Sequence, residues 1–348
     1  MKASLTFAYP GNLGLRTGGY GYDREIIKGL RQLDWDVDLL PLGDGFPSPA
    51  DQTLRDAERQ LSALQDGELV LIDGLAFGVM DTWAMREAER LRIVALVHHP
   101  LALETGLNEE LRALLRQSER AALTATRHVI VTSTMTAAEL TENFSVPPHK
   151  ITVAVPGTAR PSERRKVDND ILQILSVGSL TRRKGHDILI AALAMVLDLP
   201  WQTTIIGNPR LDCAIADALA EQIKELKLSD RVTLAGESDD LASAYEKADI
   251  FALASRYEGY GMVFAEALSY GLPIIACKAG AVPDVVPSDA GILVPVDDVD
   301  ATASALRSLL SDPQARVRRS EAATRAGKLL PGWADTSQII SQTLKALA

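Results

Sequence analysis

Positive charge is in short supply in this sequence. Its 36 Lys and Arg residues face 46 Asp and Glu, for a formal net charge of −10. A nucleic-acid binder normally carries a basic stripe, so that class is excluded, and tight adhesion to anionic lipid is disfavoured. Cysteine is scarcer still: Cys213 and Cys277 stand alone, in no CxxC pattern. A disulfide scaffold is thereby excluded, and two ordinary buried thiols in a reducing compartment are expected. No stretch approaches the ~20 apolar residues of a membrane span. The opening MKASLTFAYPGNLG holds too short an apolar run for a signal peptide, so a cytoplasmic protein is expected. Neither GxGxxG nor a P-loop follows any apolar run, which removes the signatures of dinucleotide oxidoreductases and P-loop enzymes.

What is present is a repeating pattern. With 348 residues, 47% of them apolar, two domains each with its own core are the default. Short apolar runs recur: SLTFAY, DVDLLPL, ELVLI, RIVALV, HVIVTS and ITVAV in the first half, then LQILSVG, QTTIIG, RVTLAG, DIFALA, PIIAC and GILVPV. Each has the length of a buried strand, and most are rich in β-branched residues. Segments between them, such as TLRDAERQLSAL and AIADALAEQIKEL, place apolar residues at helical spacing. Alternating strands and helices predict parallel sheets covered on both faces, so the fold class is α/β. The polar stretch Pro156 to Asp170 breaks the periodicity and reads as a linker. Two doubly wound domains are expected, 1–158 and 170–330, facing each other across a cleft at the carboxyl ends of their strands, where such sheets bind ligands. A last helix, 333–348, is expected to cross back onto the first domain.

The loops after the strands hold the candidate chemistry. YPGNLGLRTGGYGYDRE carries five glycines between Gly11 and Gly21, with a helix to follow. Gly lets backbone N–H groups approach an anion, although a flexible turn explains the run equally well. The fourth run ends in VHHP, His98 and His99. A metal site wants at least three ligands, and no cysteine or His/Glu cluster accompanies the pair. A polar contact to a sugar fits better, with a merely hydrogen-bonded loop as the plain alternative. VGSLTRRKGHDILI sets Arg182, Arg183 and Lys184 between a strand end and a helix start. Three cations there suit a diphosphate, though solvated basic turns are common. EGYGMVFAE brackets Gly259, Tyr260 and Gly261 with Glu258 and Glu266. The glycines free amides near a helix starting at Met262, and a carboxylate suits the paired hydroxyls of a ribose. Either Glu could instead serve in a salt bridge or at a helix end.

The stretches VGSLTRRKGHDILI, RVTLAGESDDLASAYEKADIFALASRYEGYGMVFAEALSYGLPIIACKAGAVPDVV and AGILVPVDD, in that order, closely resemble glycosyltransferase family 4, retaining enzymes of the GT-B fold. EGYGMVFAE matches that family's Glu-x7-Glu motif, and RTGGYG and VALVHH look like its glycine loop and cleft histidine. The resemblance implies two Rossmann-like domains, the first for an acceptor and the second for a nucleotide-sugar donor. It implies that Lys184 and Arg183 meet the diphosphate and that Glu258 faces the transferred sugar. Gly259, Tyr260 and Gly261 would offer backbone donors, Met262 and Val263 amides for phosphate, and Glu266 an acceptor for the ribose. His98 would face the sugar, and Gly18 and Gly19 would lie against diphosphate or acceptor. Where the family usually carries Arg after the first Gly of its basic turn, this chain has Ser179, and its Pro283–Asp284 stands for the family's Pro-Glu.

The resemblance further implies retaining transfer of a sugar from a UDP- or GDP-sugar to a hydroxyl acceptor, with Lys184, Glu258 and His98 as the catalytic residues. A sugar phosphorylase or sucrose-type synthase of the same fold is the alternative. No cofactor and no metal are expected, since Asp239–Asp240 and Asp297–Asp298 read as loop and helix-start residues rather than a metal clamp. The partners expected are a nucleotide-sugar donor and a hydroxyl acceptor, small, polymeric or lipid-linked, and no nucleic acid. A peripheral contact with the inner face of a membrane stays open, although DQTLRDAERQLSALQ, residues 51–65, lacks a strong basic or aromatic face.

Overall fold

The computed structural model describes residues 3–159, 161 and 171–347, so most of the expected linker lies outside the described residues. The chain forms two compact units, 1–157 with 331–348, and 158–330. The first contains β1 (Ser4–Tyr9), β2 (Asp36–Pro41), β3 (Leu69–Asp73), β4 (Arg92–Val97), β5 (His128–Val131) and β6 (Ile151–Val153). The second contains β7 (Leu172–Val177), β8 (Trp201–Ile206), β9 (Val232–Gly236), β10 (Ile250–Leu253), β11 (Ile274–Cys277) and β12 (Gly291–Val294). Every neighbouring pair is parallel. Central strands such as LVLID and IFAL are buried at every position, which is why their sequences run apolar without alternation.

Strand order decides where ligands can bind. The first sheet runs β2-β1-β3-β4-β5-β6 and the second β12-β11-β10-β7-β8-β9. Winding reverses between β1 and β3, and again between β7 and β10. At such reversals the loops leave in opposite directions and open a crevice at the carboxyl ends of the strands.

The helix Gly18–Gln32 follows β1 and is capped by Thr17. It therefore begins inside the glycine run, so that Gly18, Gly19 and Gly21 belong to its first turns rather than to the loop before it. The segment expected to be helical over 51–65 is helical over Asp51–Ser62. No described helix is long and apolar enough to cross a membrane. Cys277 is buried, but Cys213 is exposed. The expectation of two buried thiols fails for Cys213, because the Asp212 cap places it at the solvent-facing start of the helix Cys213–Glu225.

The last helix, Trp333–Leu347, lies on the first unit. Trp35 Nε1 donates to Ser341 Oγ at 2.8 Å, Thr336 Oγ1 donates to the Val155 carbonyl at 2.8 Å, and the Trp333 and Tyr22 rings meet edge-on. Its approach to the helix Gly18–Gln32 depends on a missing side chain. A Cβ on Gly29 would stand 1.9 Å from Ser337 Oγ. Overpacking of this kind costs typically about 1–3 kcal/mol. Gly29→Ala should lower the thermal unfolding midpoint measurably. An unchanged midpoint would mean that the two helices are not in this contact.

Candidate active site

In the second unit, the loops after β7 and β10 meet at the reversal of winding. Gly178 follows β7, and a 3-10 turn, Arg182–Lys184, leads into the helix His186–Ala194. Gly185 joins turn to helix at φ +63°, and a Cβ there would lie 1.9 Å from the Ala254 carbonyl oxygen. Only glycine lets the basic turn close onto the end of β10. After β10, Ser255 and Glu258 face that turn. Lys184 Nζ donates to Glu258 Oε1 at 2.6 Å, as does Ser255 Oγ at 2.6 Å, and Arg183 Nη1 reaches Glu258 Oε2 at 3.4 Å and the Tyr257 carbonyl at 3.0 Å. Glu258 is only 5% exposed, so its charge must be matched locally. Burial alone would raise its carboxyl, but the charges of Lys184 and Arg183 and the hydrogen bonds overcome that and hold it at about 2.

The expected trio of cations is in fact a pair at Glu258. Arg182 is exposed, and its carbonyl is taken by Arg256. Arg256 also forks onto Asp187, at 3.0 and 2.7 Å, and bonds Asp297 at 2.7 Å, so it braces the turn. Gly280, at φ +55°, fixes the other side: a Cβ there would lie 2.1 Å from the Glu258 carbonyl oxygen, which accepts from Ala281 N at 2.9 Å. Asp240 and Asp298 cap the helices Leu241–Lys247 and Val299–Ser311.

Gly261, at φ +90°, caps the helix Met262–Ser269. Tyr260 beside it is buried, while Gly259 is partly open. The amides of Met262 and Val263 belong to the first turn, where no carbonyl one turn earlier can accept them. Glu266 sits one turn on. Its Oε2 accepts from the Tyr245 hydroxyl at 2.8 Å, and Tyr245 is buried between Phe251 and Tyr270. Burial raises the Glu266 carboxyl, opposed by that hydrogen bond. Glu266 thus belongs to a tyrosine-held group of its own, separate from the Lys184–Glu258 pair.

The first unit has its own cluster at its reversal of winding. His98 leaves β4, and its Nε2 lies 3.1 Å from Asp23 Oδ1 and 3.9 Å from Asp73 Oδ2. Asp23 comes from the helix Gly18–Gln32 and Asp73 from the end of β3; both are buried. A Cβ on Gly19 would touch the His98 ring at 3.4 Å, and the Tyr22 ring meets it edge-on at 5.4 Å. Gly18 is exposed. His99 instead pairs with Glu104 at 3.3 Å. No cysteine or glutamate joins His98, but two aspartates distant in sequence do: Asp23, Asp73 and His98 offer polar atoms within 4.8 Å of one another. Asp23 had a visible signature, since it stands with Ile26, Ile27 and Leu30 on the buried stripe of its helix.

Comparison with known proteins places the chain. The family model described as "Glycosyl transferases group 1" matches residues 160–326, and that described as "Glycosyltransferase Family 4" matches residues 22–159. The chain belongs to this family of glycosyltransferases. It is 30% identical over 229 residues to the D-inositol 3-phosphate glycosyltransferase of Kineococcus radiotolerans, covering 58% of this chain and 52% of that protein. It is 31% identical over 195 residues to a Campylobacter jejuni N-acetylgalactosaminyltransferase acting on a diphospho-undecaprenol-linked sugar, covering 54% of this chain and 52% of that protein. The chain thus spans about half the length of these two relatives. Among solved structures, sucrose-phosphate synthase from Thermosynechococcus elongatus superposes with a TM-score of 0.84 at 22% identity over 99% of both chains. Anabaena Alr3699/HepE in complex with UDP and glucose superposes at 0.76 and 18% identity, over 98% of this chain and 99% of that one. These likenesses establish the fold as GT-B.

Removing one partner from a buried ion pair strands the other, at a cost of roughly 3–5 kcal/mol. Glu258 has a folded-state value below its unfolded one, so its stabilising contribution is present above the unfolded range near 4.5 and is lost as pH falls through about 2. The stability gap between the natural protein and Lys184→Met should be widest near neutral pH and narrow in acid, as read by urea unfolding. A gap independent of pH would mean that the pair carries no charge.

Proposed function

We propose that this protein transfers a hexosyl group from a nucleotide diphosphate sugar, UDP- or GDP-linked, to a hydroxyl acceptor, with retention of anomeric configuration and without a metal. The supporting observation is the Lys184–Arg183–Glu258 constellation, half-buried cations on a buried carboxylate, set beside the start of the helix Met262–Ser269 at the reversal of winding in the second unit. Breaking a glycosyl–phosphate bond leaves negative charge on the departing diphosphate. Lys184 and Arg183 supply cations for that charge, and the Met262 and Val263 amides supply donors that need no reorganisation. Glu258, ionised throughout the neutral range, balances the cations and presents acceptor oxygens for sugar hydroxyls. Glu266, fixed by Tyr245, takes the ribose. The second unit is then the donor domain and the first the acceptor domain.

The test is direct. A thermal-shift panel of UDP- and GDP-sugars, UDP, GDP and NAD identifies the donor, and product analysis separates nucleoside diphosphate from inorganic phosphate. Lys184→Ala and Glu258→Ala should each reduce turnover by about 10²–10³-fold. Near-normal turnover in either would remove the support for this reading. Activity should persist in excess chelator, and strict dependence on added manganese would refute the metal-free mechanism.

A further inference from the structure

The donor reading leaves one buried titratable side chain of the second unit without a role. His186 opens the helix His186–Ala194 directly after the basic turn and is 1% exposed. Its Nε2 lies 3.2 Å from the Gly178 carbonyl oxygen, and no described group bonds its Nδ1. A carbonyl can only accept, so Nε2 carries the proton and donates. The Gly178–Ser179 peptide is trans and planar, so its N–H points opposite to its C=O. With the carbonyl turned toward His186, the Ser179 N–H is turned away from it, and no described group accepts from that N–H. We infer that His186 is a positioning residue of the donor site: by holding the Gly178 carbonyl inward it aims the Ser179 amide at the donor's diphosphate and keeps the seat of Lys184 in place.

Gly178 is gripped from several sides. Its N–H donates to the Ile206 carbonyl at 2.9 Å, which continues the pairing of β7 with β8. Gly207, after β8, closes on its carbonyl: a Cβ on Gly207 would stand 1.9 Å from that oxygen and 3.2 Å from the Ser179 Cα. The Lys184 chain covers the bare face of Gly178, where a Cβ would lie 3.2 Å from Lys184 Cδ and 3.3 Å from Cγ. Rotation of the Gly178–Ser179 peptide therefore moves the amide, and with it the surface on which the Lys184 chain rests. An amide held in this way needs no reorganisation when charge builds on the departing phosphate. The inference rests on the transfer reading above, since the anion the amide serves is the diphosphate of that reading. His186 touches neither substrate in this scheme.

A purely structural hydrogen bond fits the surroundings poorly. Nδ1 is buried and unsatisfied, a cost in stability that an apolar side chain of similar size would not carry. Burial lowers the imidazole to about 4; the Gly178 carbonyl opposes this, the Lys184 charge adds to it, and the Ser179 backbone and Asp187 oppose it more weakly. His186 is thus uncharged throughout the neutral range. It supplies an N–H to the Gly178 carbonyl without setting a second positive charge against Lys184.

The experiment joins spectra of the natural protein to two variants. ¹⁵N spectra of the natural protein should show His186 as the neutral Nε2–H tautomer at neutral pH. The Ser179 amide should shift when UDP or GDP, whichever the panel selects, is added. His186→Leu removes the donor and keeps the space filled, whereas His186→Gln keeps an N–H for the carbonyl. Folded His186→Leu should bind the nucleoside diphosphate about 10–100-fold more weakly by calorimetry and the matching nucleoside as the natural protein does. Its kcat should fall by about 10²-fold, and His186→Gln should recover most of both losses. A structural role would change the stability of His186→Leu and leave diphosphate affinity and kcat in place. An Nδ1–H tautomer, a Ser179 amide unmoved by the diphosphate that binds, or natural diphosphate affinity in folded His186→Leu overturns the inference. Should His186→Leu not fold, the tautomer and the Ser179 shift decide. Failure of the natural protein to bind UDP, GDP or their sugars would instead sink the transfer reading and the inference with it.

Discussion

The reversal of winding in each parallel sheet is the constraint from which the rest follows. Where two neighbouring strands send their helices to opposite faces, nothing covers the ends of those strands, and polar groups can collect there. In the second unit the strands concerned are β7 and β10, and their loops carry Lys184 and Glu258. In the first they are β1 and β3, followed by the Asp23 helix and Asp73, with His98 leaving β4 next to them. Neither cluster could have been assembled elsewhere in its sheet without covering the polar groups with an apolar helix face.

Burial then acts on four carboxyls in four ways. Glu258 meets two cations and a hydroxyl, so the charged form prevails over desolvation. Asp73 meets another carboxyl and only one imidazole, so burial wins and it holds its proton to about 7. Glu266 has one tyrosine hydroxyl, which moderates the rise without reversing it. Glu119, in the helix Glu109–Thr124, has one backbone amide, Leu101 N at 2.9 Å, and burial carries it to about 8. The direction follows the charge of the donors each carboxyl faces, since all four are desolvated and only Glu258, with two cations, falls.

The twelve apolar runs of the sequence became the twelve strands seen among the described residues, and their alternation with helices announced parallel pairing. Those features are local: a buried parallel strand has to be apolar along its whole length. The contact between the basic turn and Glu258 joins residues 74 apart, yet it was approachable because both lie in loops that follow strands. Other parts were not legible as a group. Asp23 and His98 are 75 residues apart, and Asp23 looks like one more acid in YDRE until the helix is seen to bury that face. Tyr245 gives no hint of holding Glu266, because the two meet only once the fold brings the Tyr245 hydroxyl to the helix Met262–Ser269. Arg182 misled in the opposite direction: charge adjacent in sequence diverges once a 3-10 turn sends successive side chains to different sides.

The pairing of Lys184 and Arg183 with Glu258 also bears on selectivity. A net negative chain repels anions on average, and of the two half-buried cations at Glu258 one is offset by that carboxylate, which lowers the charge left to attract a stray anion. A ligand that draws on Lys184 must therefore give Glu258 something in return, or leave a buried carboxylate short of partners. A lone phosphate brings no donor for that purpose. A sugar attached to a diphosphate brings both, an anion for the cations and hydroxyls for Glu258. On the proposed function, the ion pair thus works as a test for two groups at once, and Gly185 and Gly280, by letting backbone approach from both sides, keep the two halves of that test at a fixed separation.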